Sequence, residues 1–133
     1  MSTSKTIRDV IPDNQGPVKF IKSGSPLRQS IDYLADKKIG CALVIDAEGG
    51  LAGVISERDV VRAIYEHGGD ALDYATDSYM AKDVVTCSMD DSVAVVAQKM
   101  SEHNFRHLPV IDDGYLSGMI SMRDLMGQLI PEK

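Results

Sequence analysis

Apolar positions along the chain change their period in the same order twice. A β-rich run, Val18-Lys19-Phe20-Ile21, passes through turn residues into a segment where Leu27, Ile31 and Leu34 recur at helical spacing. Two further apolar runs, Cys41 to Asp46 and Leu51 to Ile55, flank a glycine-bearing turn and read as a hairpin. A helix over about Glu57 to Glu66 closes the unit. The second half repeats the order. Val84 to Cys87 reads as a strand, Val93, Val96, Ala97 and Met100 mark a helix, and His107 to Asp112 with Tyr115 to Ile120 form a second hairpin before a helix over about Met122 to Leu129. The pattern predicts an α/β (α+β) fold of two β-α-β-β-α units.

The two halves are also alike in their residues. Gly53-Val-Ile-Ser-Glu-Arg-Asp-Val-Val returns as Gly118-Met-Ile-Ser-Met-Arg-Asp-Leu-Met, and Val44-Ile45-Asp46 returns as Val110-Ile111-Asp112. The one-residue difference in offset falls in the hairpin turn, Glu48-Gly49-Gly50 against Asp113-Gly114, where glycine tolerates it. The expected division is residues 1–67 as a first unit including the N-terminal segment, 68–79 as a helical linker after the Gly68-Gly69 stop, and 80–133 as a second unit.

Composition narrows the function. At 133 residues, with 14 basic and 20 acidic side chains and a net charge of −6, the chain fits one domain or two small halves sharing a core. A pI near 4.9 argues against nucleic acid as the main partner, because backbone phosphates need a concentrated basic face. The apolar runs are far short of the ~18 residues a membrane span needs, and the start lacks the long apolar segment of a signal peptide. A cytoplasmic protein is expected. Cys41 and Cys87 show no metal spacing and are expected to be buried free thiols.

The chemistry sits where each unit's last strand meets its last helix. Ser56 and Ser121 can cap those helices, with Asp59 and Asp124 three residues on completing a capping box. The same geometry suits a nucleotide: a helix start offers N–H groups and partial positive charge to a phosphate, and a nearby carboxylate can accept the hydroxyl protons of a ribose. Arg58 and Arg123 could add phosphate contacts, but in a first helical turn an arginine is more often solvated. His67 and His103 read as helix-end residues and the methionines as core and interface filler. His107 reads either as a partly buried imidazole at a strand start or as a phosphate contact.

The duplicated unit, the two Gly-x-Ile-Ser-x-Arg-Asp segments and the run Phe105-Arg106-His107-Leu108-Pro109-Val110 resemble a tandem pair of CBS (cystathionine β-synthase) domains, or Bateman module, of the small stand-alone kind. The resemblance implies that the units pack about a pseudo-twofold axis and leave two clefts that take adenosine-containing ligands such as AMP, ATP, NADH or S-adenosylmethionine. It implies Ser56 at a phosphate and Asp59 at a ribose in one cleft, lined by Val54 with Val85, Phe105 and Arg106 from the other half. In the second cleft it implies Ser121 and Asp124, with Met119 beside Lys19, Ile39 and Gly40. An adenine nucleotide would serve as regulatory ligand, with no catalytic cofactor.

The halves are unequal, since Arg106-His107 has Gly40-Cys41 as its counterpart. Catalysis finds little support: there is no Gly-x-x-x-x-Gly-Lys loop, and Asp90-Asp91 and Asp112-Asp113 fall in turns. The reading is therefore a non-enzymatic, ligand-sensing regulatory module whose partner is a small molecule. Two alternatives are a structural interaction protein with unused clefts and a redox regulator using Cys41 and Cys87. Apolar helix ends at Val60, Val61 and Ile64, with Leu125, Met126 and Leu129, predict a homodimer.

Overall fold

The computed structural model describes residues 5–13 and 19–129, except the side chains of Gln128 and Leu129. The start of the first expected strand at Val18 and the expected interface side chain of Leu129 lie outside the described residues. The chain divides into two compact units, one holding residues 19–84 and the other residues 1–18 with 85–133. Among the described residues no helix is long and apolar enough to cross a membrane.

The unit of residues 19–84 is built on a three-stranded sheet. Strand β1 (Ile21–Lys22) pairs parallel with β2 (Cys41–Ile45), which pairs antiparallel with β3 (Leu51–Ser56). Helix α2 (Leu27–Lys37), which follows a short α1 (Ile7–Val10) in chain order, buries Leu27 and Leu34. Helix α3 (Glu57–His67) buries Ala63. These side chains close over Ile21, Val44 and Ile55 in one core. In the hairpin turn the Asp46 carboxylate accepts the N–H groups of Glu48 and Gly50, and Gly49 supplies the positive φ of 90°.

The second unit repeats this plan. Helix α4 (Val93–His103) buries Val96 and Met100 against β4 (His107–Asp112) and β5 (Tyr115–Ser121), and α5 (Met122–Leu129) contributes Leu125. Asp113 and Gly114, with φ of 50° and 83°, make the tighter hairpin turn. Both hairpins carry a register shift at the same place, between Val44 and Ile45 and between Val110 and Ile111. The expected strand at 84–87 is reduced to one parallel bridge, Cys87 to Val110. Its neighbour Thr86 gives its carbonyl to the Lys99 ammonium at 3.0 Å instead of to a ladder.

The expected helical linker at 68–79 is neither α-helical nor a linker. It forms two 3-10 stretches, Gly68–Asp73 and Thr76–Ser78, docked into the unit of residues 19–84. The N–H of Leu27 donates to the Tyr74 carbonyl at 2.8 Å, that of Thr76 to the Ser25 carbonyl at 2.8 Å, and Pro26 bridges Ala75. The segment then runs to Ala81, which exchanges two backbone hydrogen bonds with Val54 at 2.8 and 2.9 Å. That approach needs Gly53, since a Cβ there would lie 2.5 Å from the Ala81 carbonyl oxygen.

The N-terminal segment does the same for the other unit, so the expected grouping of residues 1–67 is corrected. The N–H of Val93 donates to the Lys5 carbonyl at 2.9 Å, that of Ile7 to the Asp91 carbonyl at 3.0 Å, and Thr6 bridges Ser92. Ile7 is fully buried in that unit's core. Each unit is therefore a body of two helices and a hairpin, with the strand Ile21–Lys22 before them in one and the Cys87 bridge in the other, plus a strap, Lys5–Asp13 for one and Tyr74–Lys82 for the other. The strap ends about seventy residues before its body begins at Val85 in one case and follows its body in the other. The physical reason is that each body leaves open backbone groups at the start of its first long helix, and both straps satisfy them in the same way.

Candidate functional site

The two strand–helix corners are built identically in backbone. At the end of β3, Cys41 lies opposite Ser56, and the N–H of Glu57 donates to the Gly40 carbonyl at 2.9 Å. At the end of β5, His107 lies opposite Ser121, and the N–H of Met122 donates to the Arg106 carbonyl at 2.7 Å. Residues 40 and 106 thus occupy one structural place, as the sequence comparison expected. The residues before them match as well: Lys38 and Asn104 end α2 and α4 in the left-handed conformation, at φ of 57° and 59°.

Both corners carry complete caps. The Ser56 N–H donates to Asp59 Oδ2 at 2.9 Å, the Ser56 hydroxyl donates to the same oxygen at 2.9 Å, and the Asp59 N–H donates to Ser56 Oγ at 3.2 Å. In the other corner the Ser121 N–H donates to Asp124 Oδ2 at 2.9 Å and the Asp124 N–H to Ser121 Oγ at 3.0 Å. Two of the first three helical N–H groups at each corner therefore already have acceptors inside the protein. This leaves less free donor capacity for an anion than a bare helix start would have, so side-chain cations matter more. Asp59 Oδ1 stays clear of the cap and lies 3.7 Å from the Arg62 guanidinium. A carboxylate has roughly four acceptor positions, so capping through one oxygen leaves the other able to accept from a sugar hydroxyl.

The side chains around the two caps differ in charge. Arg106 and His107 are exposed, so His107 is not the partly buried imidazole that one reading expected. Their counterparts are the exposed Gly40 and Cys41. A second difference went unnoticed in the sequence: the first helical residue is Glu57 at one corner and Met122 at the other. A Cβ built on Gly40 would lie 3.8 Å from the Glu57 carboxyl carbon, so that carboxylate borders the very place Arg106 fills in the other unit. One corner is cationic and the other bears an acid. The variable position within the Gly-x-Ile-Ser-x-Arg-Asp segments was the available signal.

The remaining expected residues are placed as follows. Lys19 is exposed, Val54 is half-buried and backbone-paired to Ala81, and Ile39 is partly exposed at the end of α2. In the other unit Val85 and Met119 are half-buried, and Phe105 stacks on His103 with ring centroids 5.6 Å apart. Ile39 also lines a groove of about 420 Å³ between α2 and α3, together with Ile31, Leu34, Lys38, Glu57 and Val61. Of the apolar helix ends, Val61 is 68% exposed and Ile64 and Met126 are partly exposed, whereas Leu125 is fully buried in its core and is unavailable to a partner.

Neither thiol is activated. Cys41 is exposed rather than buried, and Cys87 is buried as expected. Partial desolvation of its sulfur, and then the nearby Glu57 charge, push the Cys41 pKa up. Burial, followed by the Asp91 charge, pushes that of Cys87 up to about 11.

The sequence pattern of the CBS domain matches residues 7–66 and 75–130. The chain belongs to the CBS-domain family. Both matches end close to the strap and body boundaries, and each corner falls inside one CBS unit. An uncharacterised protein of Methanocaldococcus jannaschii is 29% identical over 125 residues, which cover 92% of this chain and 42% of that protein. The CBS pair therefore spans less than half of that relative. A CBS-domain protein of Agrobacterium tumefaciens superposes with a TM-score of 0.76 at 28% identity, covering 98% of this chain and 97% of that one. The structure of CBSX2 in complex with AMP shares the fold at 23% identity, with a TM-score of 0.76 over 94% of this chain and 96% of that one.

Proposed function

We propose that this CBS pair is a non-catalytic regulatory module that senses adenosine-containing ligands at its two strand–helix corners. The observation that carries the reading is the duplicated corner itself, a carbonyl-closed helix start with a Ser-x-x-Asp cap, in a chain of the CBS family. The complex of CBSX2 with AMP shows that a protein of this fold takes such a ligand. In place of the cross-half grouping that the resemblance implies, we take each corner with the residues of its own unit: Ser56 contacts a phosphate and Asp59 a ribose through its free oxygen, beside Lys19, Ile39, Gly40 and Val54. Ser121 and Asp124 take the same roles beside Val85, Phe105, Arg106, His107 and Met119. The regulatory step is differential affinity: a ligand favours one arrangement of the protein, and a partner reads that arrangement.

The charge difference supports a different ligand at each corner. Arg106 and His107, with no acid at the first helical position, suit a phosphorylated adenosine such as AMP or ATP. Glu57 weakens the phosphate contact at Ser56 relative to that at Ser121, so an uncharged or cationic adenosine, S-adenosylmethionine included, competes better at that corner. The exposed Val61 and Ile64 of α3 further support a homodimer, which light scattering would show as twice the 14.5 kDa chain mass.

A thermal-shift screen of AMP, ATP, NADH, adenosine and S-adenosylmethionine tests the reading. Binding raises apparent stability by about 2.7 kcal/mol at a hundredfold excess over Kd. A melting temperature unmoved by every adenosine compound would leave the structural interaction protein as the better account.

A further inference from the structure

We propose that the two straps are addressed to their own bodies by a matched pair of positions, one buried and one at the surface, so that neither strap fits the other groove. Two backbone hydrogen bonds and one bridge are common to both units and offer no discrimination, and the Arg8 N–H adds a bond to the Met89 carbonyl at 3.0 Å in one unit. The shared docking places Ile7 where the other strap has Thr76, and Arg8 where it has Asp77.

At the buried position the two grooves are chemically opposite. Thr76 and Ser30 are both fully buried, and their hydroxyls lie 2.5 Å apart in a hydrogen bond. The corresponding side chains in the other unit are Ile7 and Val96, both fully buried in an apolar cluster. At the surface position the polarity reverses. The Asp77 carboxylate accepts the Gly24 N–H at 2.7 Å and the Ser23 hydroxyl, and these bonds hold its pKa below the usual value against the opposing effect of burial. Arg8 instead donates to the Asp90 carboxylate at 3.0 Å.

Exchanging the straps breaks both matches. Thr76 beside Val96 would bury a hydroxyl among apolar side chains, while Asp77 would face Asp90, carboxylate against carboxylate. Ile7 beside Ser30 would take away that hydroxyl's partner, and Arg8 would face the donors of Ser23 and Gly24. An unsatisfied buried hydroxyl shifts an equilibrium by roughly 5- to 150-fold, whereas an exposed ion pair shifts it by only about 1.5- to 5-fold. The buried pair is therefore the main determinant. The inference does not depend on what the corners bind.

Amide exchange on the full chain tests it. The Leu27 and residue-76 N–H groups report one strap, and the Ile7 and Val93 N–H groups report the other. Thr76→Ile should speed exchange of the first pair by roughly 5- to 150-fold and leave the second pair unchanged, and adding Ser30→Val should restore most of the protection. Arg8→Asp should speed the second pair by about 1.5- to 5-fold, with recovery in Arg8→Asp/Asp90→Arg. Should Thr76→Ile unfold its unit, the gentler cycle of Thr76→Val and Ser30→Ala reads the same coupling: each single change should lose protection and the double change should regain it. Protection unmoved by the single changes, or not regained in the doubles, would show grooves indifferent to strap identity and would overturn the proposal.

Discussion

The carbonyl of Arg106 accepts the N–H of Met122 at 2.7 Å, so the structural work of residue 106 is done by an atom that every residue type carries. Its counterpart Gly40 does the same work with no side chain at all. Arg106 is exposed, and among the described residues its guanidinium has no hydrogen-bond or ion-pair partner, which suits it to serve a ligand. Arg106→Ala should therefore leave the melting temperature nearly unchanged while weakening AMP or ATP binding by ~1.5 to 3 kcal/mol and sparing adenosine. The loss should shrink at high salt. Equal losses for AMP and adenosine, read by calorimetry, would mean that Arg106 shapes the surface rather than reading a phosphate.

The caps make a separate prediction about stability. Asp59→Asn and Asp124→Asn each weaken a cap in which one carboxylate oxygen accepts the serine N–H. Each should lower stability by ~0.5 to 2 kcal/mol in denaturant unfolding. Unchanged midpoints in both variants would contradict the capping account.

Much of this was legible in the sequence, and what was not has physical causes. The body of each unit announces itself because burial fixes the periodicity of Leu27, Ile31 and Leu34 and of Val93, Val96 and Met100, while the caps repeat Ser-x-x-Asp. The straps do not, because Ile7-Arg8-Asp9 and Thr76-Asp77-Ser78 agree at no matched position and are equivalent only through backbone hydrogen bonds. A segment that docks by main-chain groups leaves little trace in side-chain pattern. Hence residues 68–79 read as a linker, and the N-terminal segment was grouped with its neighbour in sequence rather than in space. Glu57 was overlooked for another reason: the repeat draws attention to what is shared, whereas ligand discrimination lies in what differs.

Cys87 predicts a pH dependence. Its pKa is raised in the folded protein from the ordinary 9.0 to about 11, so folding favours the protonated thiol. That contribution is fully present below about pH 9 and is lost as pH rises toward about 11. The fall in stability over this window should be shallower in Cys87→Ala than in the unmodified protein, whatever the two absolute stabilities. In native protein at neutral pH, iodoacetamide should modify the exposed Cys41 well before Cys87. Equal rates would contradict the buried, inert placement of Cys87.

The central claim is that the Ser-x-x-Asp corners hold an adenosine ligand, and isothermal titration of AMP and adenosine into the unmodified protein, Asp59→Asn and Asp124→Asn tests it most directly. The account predicts saturable binding to the unmodified protein and, in each variant, a loss of ~1.5 to 3 kcal/mol confined to one corner, with AMP affected by Asp124→Asn. Binding that is absent from the unmodified protein, or identical in all three, would contradict it.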